Sequence, residues 1–579
     1  FLQPLLRQGG REIALEQLTI AERALLANVR QMEWYRQGFL LDVAIGTGAG
    51  QGPQRRGGFL GGAGLSGFTG TGAGGFGGVG EASSFGRLGG AGGAGGGAGG
   101  AAGGGFAAGV AGNVSGFIGL VQQAQQIHNR QTNLQLQQEN LARTSELAKA
   151  GRIESLQVDQ FRQNVQSTRS QLLGFEYQFQ TNVENFLIST MGLPPDVPVH
   201  IDESIVKPFQ FTEPKLSELR EHMRVFIERT RSMEDPSLDI LGKLVDYFQQ
   251  MRTSMMERFD VVRQDFQNLE SVEQQRLESL HNEADRKEFL DEVARLTIDF
   301  TQLEKRFHAT AQDILRPSEL LKTEKGEDVK QELVKQADSA TEILRELALV
   351  QAGVRLEAVV LQPVNLDGDH AFQIAQANRL DIMNQRGEVV DQWRLITFNA
   401  NRLESDVNVE FSGSFGTLDR NIVNFRDQTG SFSAAVRFDT PITRLGERNL
   451  YRQSLIDYQR VRREYIQFED RVKRSLRNTL SGVILFDQEI ELRRKALRIA
   501  IRVVDLSEEK LKAPPKPGAP PSETAVRDLL AALSDLLSTQ DSIMNTYLNY
   551  QQLRMTLYRD LGVIRFDDRG MWIDEPLEA

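Results

Sequence analysis

The sequence predicts a mainly α-helical fold with a small β part, built from duplicated long helical hairpins and an inserted helical subdomain. Three observations lead to this fold class: a long unit occurs twice, apolar residues recur every seven positions, and one region alternates with period two. The predicted domains are a first repeat at residues 1–201, the inserted subdomain at 202–370, a second repeat at 371–563 and a C-terminal tail at 564–579.

Each copy of the repeated unit is a strand end, a proline, a very long helix, a break and a returning helix that ends near a glycine. The first copy runs from Gln3 to Pro194 and the second from Thr440 to Val563. The first copy is longer by nearly the length of a glycine-rich tract at residues 46–115. We therefore interpret the tract as an insertion into an older duplicated unit.

The glycine-rich tract holds most of the chain's 53 glycines and lacks the strict Gly-X-Y period of collagen. Such a composition buries too little apolar surface to offset the entropy of ordering, which favours a flexible loop. An alternative is a loop that adheres to lipid or peptidoglycan through its phenylalanines, Phe59, Phe68, Phe76, Phe85 and Phe106.

In the first repeat, the residue pattern predicts helices at residues 12–43 and 117–149, followed by a break at Ala150-Gly151 and a return helix. The first helix carries an apolar line at three-to-four spacing, Leu15, Leu18, Leu25, Leu26, Val29 and Met32. The return helix carries two apolar lines, Val158, Val165, Leu172, Phe179 and Phe186, with Phe161 and Phe175 between them.

The second repeat predicts a helical hairpin at residues 448–562, whose first helix extends to about residue 512. At 1.5 Å per residue this helix is roughly 100 Å long, too long for a compact domain. Its period-seven line, Leu476, Val483, Ile490, Leu497, Val504 and Leu511, indicates left-handed coiling of packed helices. A proline-rich break at residues 513–521 ends it, and the line returns as Leu529, Leu536, Ile543, Tyr550 and Leu557.

Between the repeats, residues 214–362 are helix-rich, acidic and polar. One helical stripe there is apolar: Leu238, Leu241, Leu244, Phe248, Met251, Met255, Phe259, Val262 and Phe266. Another helix is predicted at residues 371–401, at the start of the second repeat.

A β-hairpin is predicted at residues 406–439, with strands at 406–416 and 430–439 joined by a polar loop. Each strand has the length that a tilted strand needs to cross a bilayer. The alternation equally describes a half-buried strand of a soluble sheet. If the hairpin lies in lipid, the residues facing the lipid are Val407, Val409, Phe411, Phe415, Phe432, Val436 and Phe438.

The context of the hairpin favours the membrane. A two-stranded hairpin alone is marginally stable, and the sequence has no other clear strands to complete a soluble sheet. Open strand edges do not occur in lipid. We expect the missing strands to come from residues that precede Phe1 and from other subunits. Symmetric association of subunits into a closed barrel supplies the missing strands and leaves no open strand edge in lipid.

Composition and motifs exclude several classes of function. A net charge of −11 argues against nucleic acid as a partner, and the chain has no cysteine. The sequence contains no run of about 18 apolar residues, so no transmembrane helix is predicted. The six histidines lack metal-ligand spacing, and no phosphate-binding loop motif occurs. We therefore predict no enzyme, no catalytic residues, no metal and no cofactor.

The repeats resemble the TolC-like outer-membrane efflux and secretion duct family. Four features in the right order carry the resemblance: Gln3-Pro4-Leu5-Leu6-Arg7, the turn from Ala150 to Ser155, Asn378-Arg379-Leu380-Asp381, and the Leu-Gly endings of both return helices. The resemblance implies a homotrimer with a twelve-stranded β-barrel in the outer membrane and an α-barrel in the periplasm. It further implies docking to a periplasmic adaptor (membrane fusion) protein and an inner-membrane transporter, and an N-terminal truncation here.

The resemblance also places the periplasmic tips of the helical hairpins. The first tip, where the family contacts the adaptor, is Ala150, Gly151, Arg152 and Ile153, with Gln157 at a position where the family often has Asp. At the second tip, Asp528 matches the first of two acidic family positions, and Ala531 replaces the second. Asp528 is thus a candidate constriction residue; the alternative is a solvated Asp in the first turn of a helix.

Two functions remain open on the sequence. The first is a passive outer-membrane exit duct of a tripartite efflux pump or type I secretion system, extending into the periplasm. The second is a coiled-coil scaffold of the envelope that conducts nothing and uses the hairpin for assembly alone.

Overall fold

The computed structural model describes residues 2–4, 7, 9–46, 116–149, 151, 153–233, 238–280, 282–313, 326–417, 425–439, 442–512, 524–567 and 572–573. The glycine-rich tract, apart from Gly46, lies outside the described residues, as does most of the tail at 564–579. The fold is mainly α-helical with a small β part, as predicted.

The first repeat contains three long helices. They are α1 at Arg11–Ile45, α2 at Gly116–Lys149 and α3 at Ser155–Phe186. A single π-helical turn, Leu187–Met191, continues α3 and ends at Gly192, whose φ of 65° is left-handed. The antiparallel pair α2 and α3 is called the first hairpin below.

Helices α1 and α2 meet end to end. The chain leaves α1 at Gly46 and re-enters at Gly116, and a Cβ on Gly116 would lie 2.5 Å from the backbone nitrogen of Gly46. The two helices, 35 and 34 residues long, together match the single long helix of the second repeat.

The inserted bundle consists of α4 at Pro214–Arg231, α5 at Leu238–Ser279, α6 at Glu283–Asp313 and α7 at Gly326–Glu357. It has its own hydrophobic core, in which the ring of Phe259 stacks on Phe307 at 4.9 Å between centroids. Most of the predicted apolar stripe of α5 is buried in this core, and Leu244 and Phe266 are partly buried at its edge.

The helix predicted at 371–401 is two helices, α8 at Gly368–Asn378 and α9 at Leu380–Asn401. The break is at Arg379, whose backbone is extended, and in the first turn of α9 the N–H of Ile382 donates to Oδ1 of Asp381 at 2.9 Å. Arg379 is fully buried, donates to the same carboxylate at 2.6 Å and to the carbonyl of Asp560 at 3.2 Å. It therefore joins this break to the end of the second repeat.

The second repeat continues with α10 at Leu445–Lys512 and α11 at Ala525–Leu561, called the second hairpin. The period-seven lines predicted for both helices are buried, apart from Leu511 at the end of α10, which is partly buried. Helix α11 ends at Gly562, which has a left-handed φ of 74° and whose Cβ would lie 3.0 Å from the backbone of Asn378.

The β part is an antiparallel sheet in the order β1-β2-β3, with β1 at Leu2–Pro4, β2 at Asp406–Thr417 and β3 at Phe425–Asp439. Strand β3 begins five residues earlier than predicted. Its register pairs Phe411 with Ala434 and Phe415 with Gly430, and is irregular between Phe415 and Thr417.

A single core substitution tests the second hairpin. Ile543→Ala removes a side chain that is fully buried between α10 and α11, and we expect it to lower the free energy of unfolding by roughly 2–5 kcal/mol. The exposed Ser534→Ala on the same helix is the control and changes it by less than about 0.5 kcal/mol. Denaturant titration of the purified protein measures both, and equal effects would contradict a buried seam.

Candidate functional site

The β2–β3 hairpin has two chemically different faces. On one face the register pairs Val409 with Val436 and Gly413 with Phe432, and the rings of Phe411 and Phe432 stack with centroids 6.2 Å apart. On the other face hydroxyls pair across the strands, Ser412 with Ser433 at 2.6 Å and Ser414 with Ser431 at 2.7 Å. Farther along this face Arg437 forms an ion pair with Glu410 at 3.5 Å.

The apolar face is open to solvent in the single chain. Phe432 is 75% exposed, Val436 70% and Phe438 64%. Phe411 is also exposed, Val407 and Val409 are half-buried, and the side chain of Phe415 lies outside the described residues. A face of this size is a binding surface for an apolar medium or partner, because single-chain soluble proteins rarely expose one.

The base of the hairpin is fixed by arginines at matching positions of the two repeats. Arg444 is buried and donates to the carbonyls of Arg402, at 3.0 Å, and Glu404. The backbone N–H of Arg7 donates to the carbonyl of Ser405 at 3.3 Å. The sheet is thus anchored where α9 ends and α10 begins.

At the first predicted tip, Ala150 and Arg152 lie outside the described residues. Gly151 has a left-handed φ of 72°, and its N–H donates to the carbonyl of Ala148 at 2.9 Å. Ile153 packs against the main core, and Gln157 is buried with 6% exposure. Gly151 is exposed at this tip, as are Glu154, Ser155 and Leu156 at the start of α3.

At the second predicted tip, residues 513–523 lie outside the described residues. Asp528 is exposed in the first turn of α11, and its backbone N–H donates to the carbonyl of Thr524 at 2.8 Å. A carboxylate in this position is stabilised by the positive end of the helix dipole. It is free to face other charges at the tip.

Sequence reasoning missed a polar stripe along α2. Its side chains are buried although they are amides or hydroxyls: Gln122, Gln125, Asn129, Asn133, Gln137, Asn140 and Thr144. The three-to-four spacing of these residues is visible in the sequence, but the search for apolar periodicity passed over it.

The polar stripe faces α11 of the other repeat. Gln122 donates to Asn545, Asn129 to Asp541 at 3.0 Å, and Asn133 to the carbonyl of Leu533 at 2.9 Å. Burial raises the pKa of Asp541, and the hydrogen bond from Asn129 opposes that shift. Buried amide pairs fix the register of two helices, since a shift leaves their polar groups without partners. We call this contact the polar seam.

An acidic cluster lies between α9 and α10. Burial is the largest cause that raises the pKa of Glu388 to about 7; the neighbouring carboxylates of Glu464 and Asp391 act in the same direction, and Arg460 opposes the shift. Burial also raises the pKa of Asp391, against an ion pair with Arg23 of α1.

No helix among the described residues is both long and apolar enough to span a membrane. Within the same residues, no three His, Asp or Glu side chains are grouped so that they could hold a metal ion.

No protein-family model and no curated protein matches the chain. Solved structures similar to it include the outer membrane protein VceC of Vibrio cholerae, at 13% identity over 61% of this chain and 76% of that chain, with a TM-score of 0.29. The outer membrane channel CmeC of Campylobacter jejuni shares 10% identity over 70% and 68%, TM-score 0.29. The MtrE outer membrane channel of Neisseria gonorrhoeae shares 15% over 62% and 88%, TM-score 0.28. Because these scores are low, the function proposed below rests on this chain's own residues.

The raised pKa of Glu388 predicts a pH-dependent stability. The folded state binds the proton more tightly than the unfolded state, whose carboxyl has a pKa near 4.5, so this group costs stability as pH rises from 4.5 through 7. Glu388→Gln removes the cost. We expect its melting temperature to exceed that of the wild type at pH 8 and to equal it near pH 4.

The control for this prediction is Asp470→Asn, an exposed carboxylate on α10. We expect the difference in melting temperature between Asp470→Asn and the wild type to stay constant across the same pH range. A Glu388→Gln difference that is also independent of pH would contradict the raised pKa.

Proposed function

We propose that this chain is the outer-membrane exit duct of a tripartite efflux pump or type I secretion system, and that it works as a homotrimer without enzymatic activity. The observation that carries the proposal is the hairpin: one face of exposed Phe and Val, the other of paired serines and an ion pair. Lipid outside and water inside a barrel require this division.

The edges of the sheet support assembly with other copies. The order β1-β2-β3 leaves the outer edge of β3 unpaired among the described residues, and β1 contributes three residues. Unpaired backbone N–H and C=O groups cost several kcal/mol each in hydrocarbon, so a barrel in the membrane must close. Strands of neighbouring copies are the proposed partners.

The apolar line of α1 supports the same assembly. All six of its members are at least 40% exposed in the single chain, from Leu15 at 40% to Leu25 at 66%. A stripe of this length at helical spacing is stable in water when another apolar surface covers it. We assign that cover to a neighbouring copy in the trimer.

The long hairpins set the reach of the duct. Helix α10 is 68 residues long, or roughly 100 Å, which is the scale of a periplasm-crossing tube rather than of a membrane span. Its far end carries the tips, which we propose as the contacts for the periplasmic adaptor protein through Gly151 and its neighbours. The resemblance of the repeats to TolC-like ducts supports this assignment.

Conductance tests the proposal. Purified full-length protein should sediment as a trimer and form ion-conducting channels in planar bilayers. Replacing Phe432, Val436 and Phe438 by Ser should abolish insertion, because it removes the apolar face, whereas Ser412→Ala with Ser433→Ala on the other face should leave insertion intact. A scaffold that conducts nothing is the conclusion if the wild-type trimer inserts without conductance.

The position of Asp528 leads to a separate prediction about the ion selectivity of the channel. A ring of three such carboxylates at the tip favours cations, so Asp528→Asn should shift the reversal potential in a salt gradient toward the non-selective value. Glu509→Gln, which removes an exposed carboxylate near the end of α10, is the charge-matched control and should leave it unchanged. Equal reversal potentials for Asp528→Asn and the wild type would assign Asp528 to a solvated first turn.

A further inference from the structure

The inserted bundle meets the second hairpin through an ion-pair ladder. Three acidic residues of α6 bind three basic residues of α10, each 210 positions away, so the two helices run parallel and in register. The donor–acceptor distances are 2.6, 2.9 and 2.9 Å for Lys495–Asp285, Arg498–Glu288 and Arg502–Glu292.

The ladder leads to a buried junction at the C-terminal end of α7. Arg494 of α10 is fully buried and donates to the carbonyls of Leu356 and Val359, the latter at 2.8 Å. Arg498 donates to the buried carboxylate of Glu357 at 2.7 Å. Burial lowers the pKa of Arg494 to about 10, yet it stays charged at neutral pH. The end of α7 is a suitable partner because its carbonyls carry partial negative charge.

The bundle also binds the first hairpin. Arg220 of α4 forms an ion pair with Glu139 of α2 at 2.5 Å, and the two side chains are 8% and 13% exposed. The bundle therefore makes charged contacts with both hairpins.

Glu508 of α10 is the point where all three parts meet. Its carboxylate accepts from Arg345 of α7 and from Asn140 of α2 at 3.4 Å, and lies 3.8 Å from Arg143 of α2. The side chain is 5% exposed. A carboxylate buried this deeply depends on its partners, because removal of one partner leaves an uncompensated charge.

Apolar and polar contacts both join the two hairpins. Buried apolar side chains of the first hairpin, such as Leu134 and Phe161, belong to the same hydrophobic core as Leu533 of the second. Along the polar seam the contacts are amide hydrogen bonds and an ion pair of Arg130 with Asp541 at 4.0 Å, and water can take the place of each polar partner when the helices part. The charged contacts of the bundle therefore add to a joint that is only partly apolar.

We propose that the inserted bundle is an ionic clamp that holds the first hairpin against the second, with Glu508 as the positioning residue where the clamp closes. The clamp belongs to the chain itself and does not depend on whether the assembled protein conducts. Its test measures a distance, so that its failure and the failure of the proposed duct are separate results.

Two spin labels measure the distance across the seam. Residues 1–579 contain no cysteine, so Glu146→Cys on α2 and Lys510→Cys on α10, both exposed, are the two labelling sites of this chain. In trimers that contain one labelled copy among unlabelled ones, double electron–electron resonance with the clamp intact should give one narrow distribution of the distance between the two labels. Glu508→Gln should lengthen and broaden it while circular dichroism shows unchanged helix content. Glu509→Gln, the neighbouring exposed carboxylate, is the control and leaves it narrow.

Two further variants act from the bundle side. Arg345→Gln should broaden the distribution as Glu508→Gln does, and the double variant should add nothing, because both remove the same contact. Asp285→Asn with Glu288→Gln alters partly exposed ladder residues and tests the clamp even if Glu508→Gln fails to fold. High salt should broaden the wild type through the same ladder. Narrow wild-type-like distributions in Arg345→Gln and in the ladder variant would overturn the clamp.

Discussion

The constraint on which the rest of the structure depends is the length of α10. A helix of 68 residues cannot be enclosed by a compact core, so its apolar line must be covered turn by turn by another helix of similar reach. Helix α11 covers one part, and the side chains of Val483, Leu497 and Ile543 lie in the same continuous core. The remaining faces of α10 meet α9, the inserted bundle and solvent. Each of the other elements is placed by its position along this helix.

This arrangement gives two kinds of contact between helices, and they differ in the free energy needed to separate the helices. The seam inside the second hairpin is apolar and fixes α10 to α11 through hydrophobic burial. The contact between the hairpins also includes amides such as Asn129 and Asn133, which specify register more than they add stability. The joint between the hairpins is therefore more polar than the seam inside the second hairpin, and the ion pairs around Glu508 lie at that joint.

The sequence predicted the features that periodicity carries. The buried lines of α10 and α11 and the two faces of the hairpin follow from periods of seven and two, which depend on neighbouring residues alone. The break at Arg379 could not be predicted, because its cause is tertiary: the carbonyl of Asp560 and the ring of Trp34, 4.9 Å from the guanidinium. The polar seam was missed for a related reason, since amide spacing gains meaning once a polar partner helix is known. Ala150 and Arg152 stay predictions.

The place of the glycine-rich tract has a physical explanation in the helix that it interrupts. The backbones of Gly46 and Gly116 lie next to each other, and both residues have a positive φ. The chain therefore leaves the helix and re-enters it at almost the same point. Closing a loop between adjacent ends costs an entropy that grows with the logarithm of its length, and about 70 residues cost little more than a much shorter loop. Because α1 and α2 together have the length of α10, the insertion leaves the repeat's reach unchanged. We infer that this is why the duplicated unit tolerates the tract midway along its longest helix, where an insertion that displaced the two ends would make the first repeat differ in length from the second.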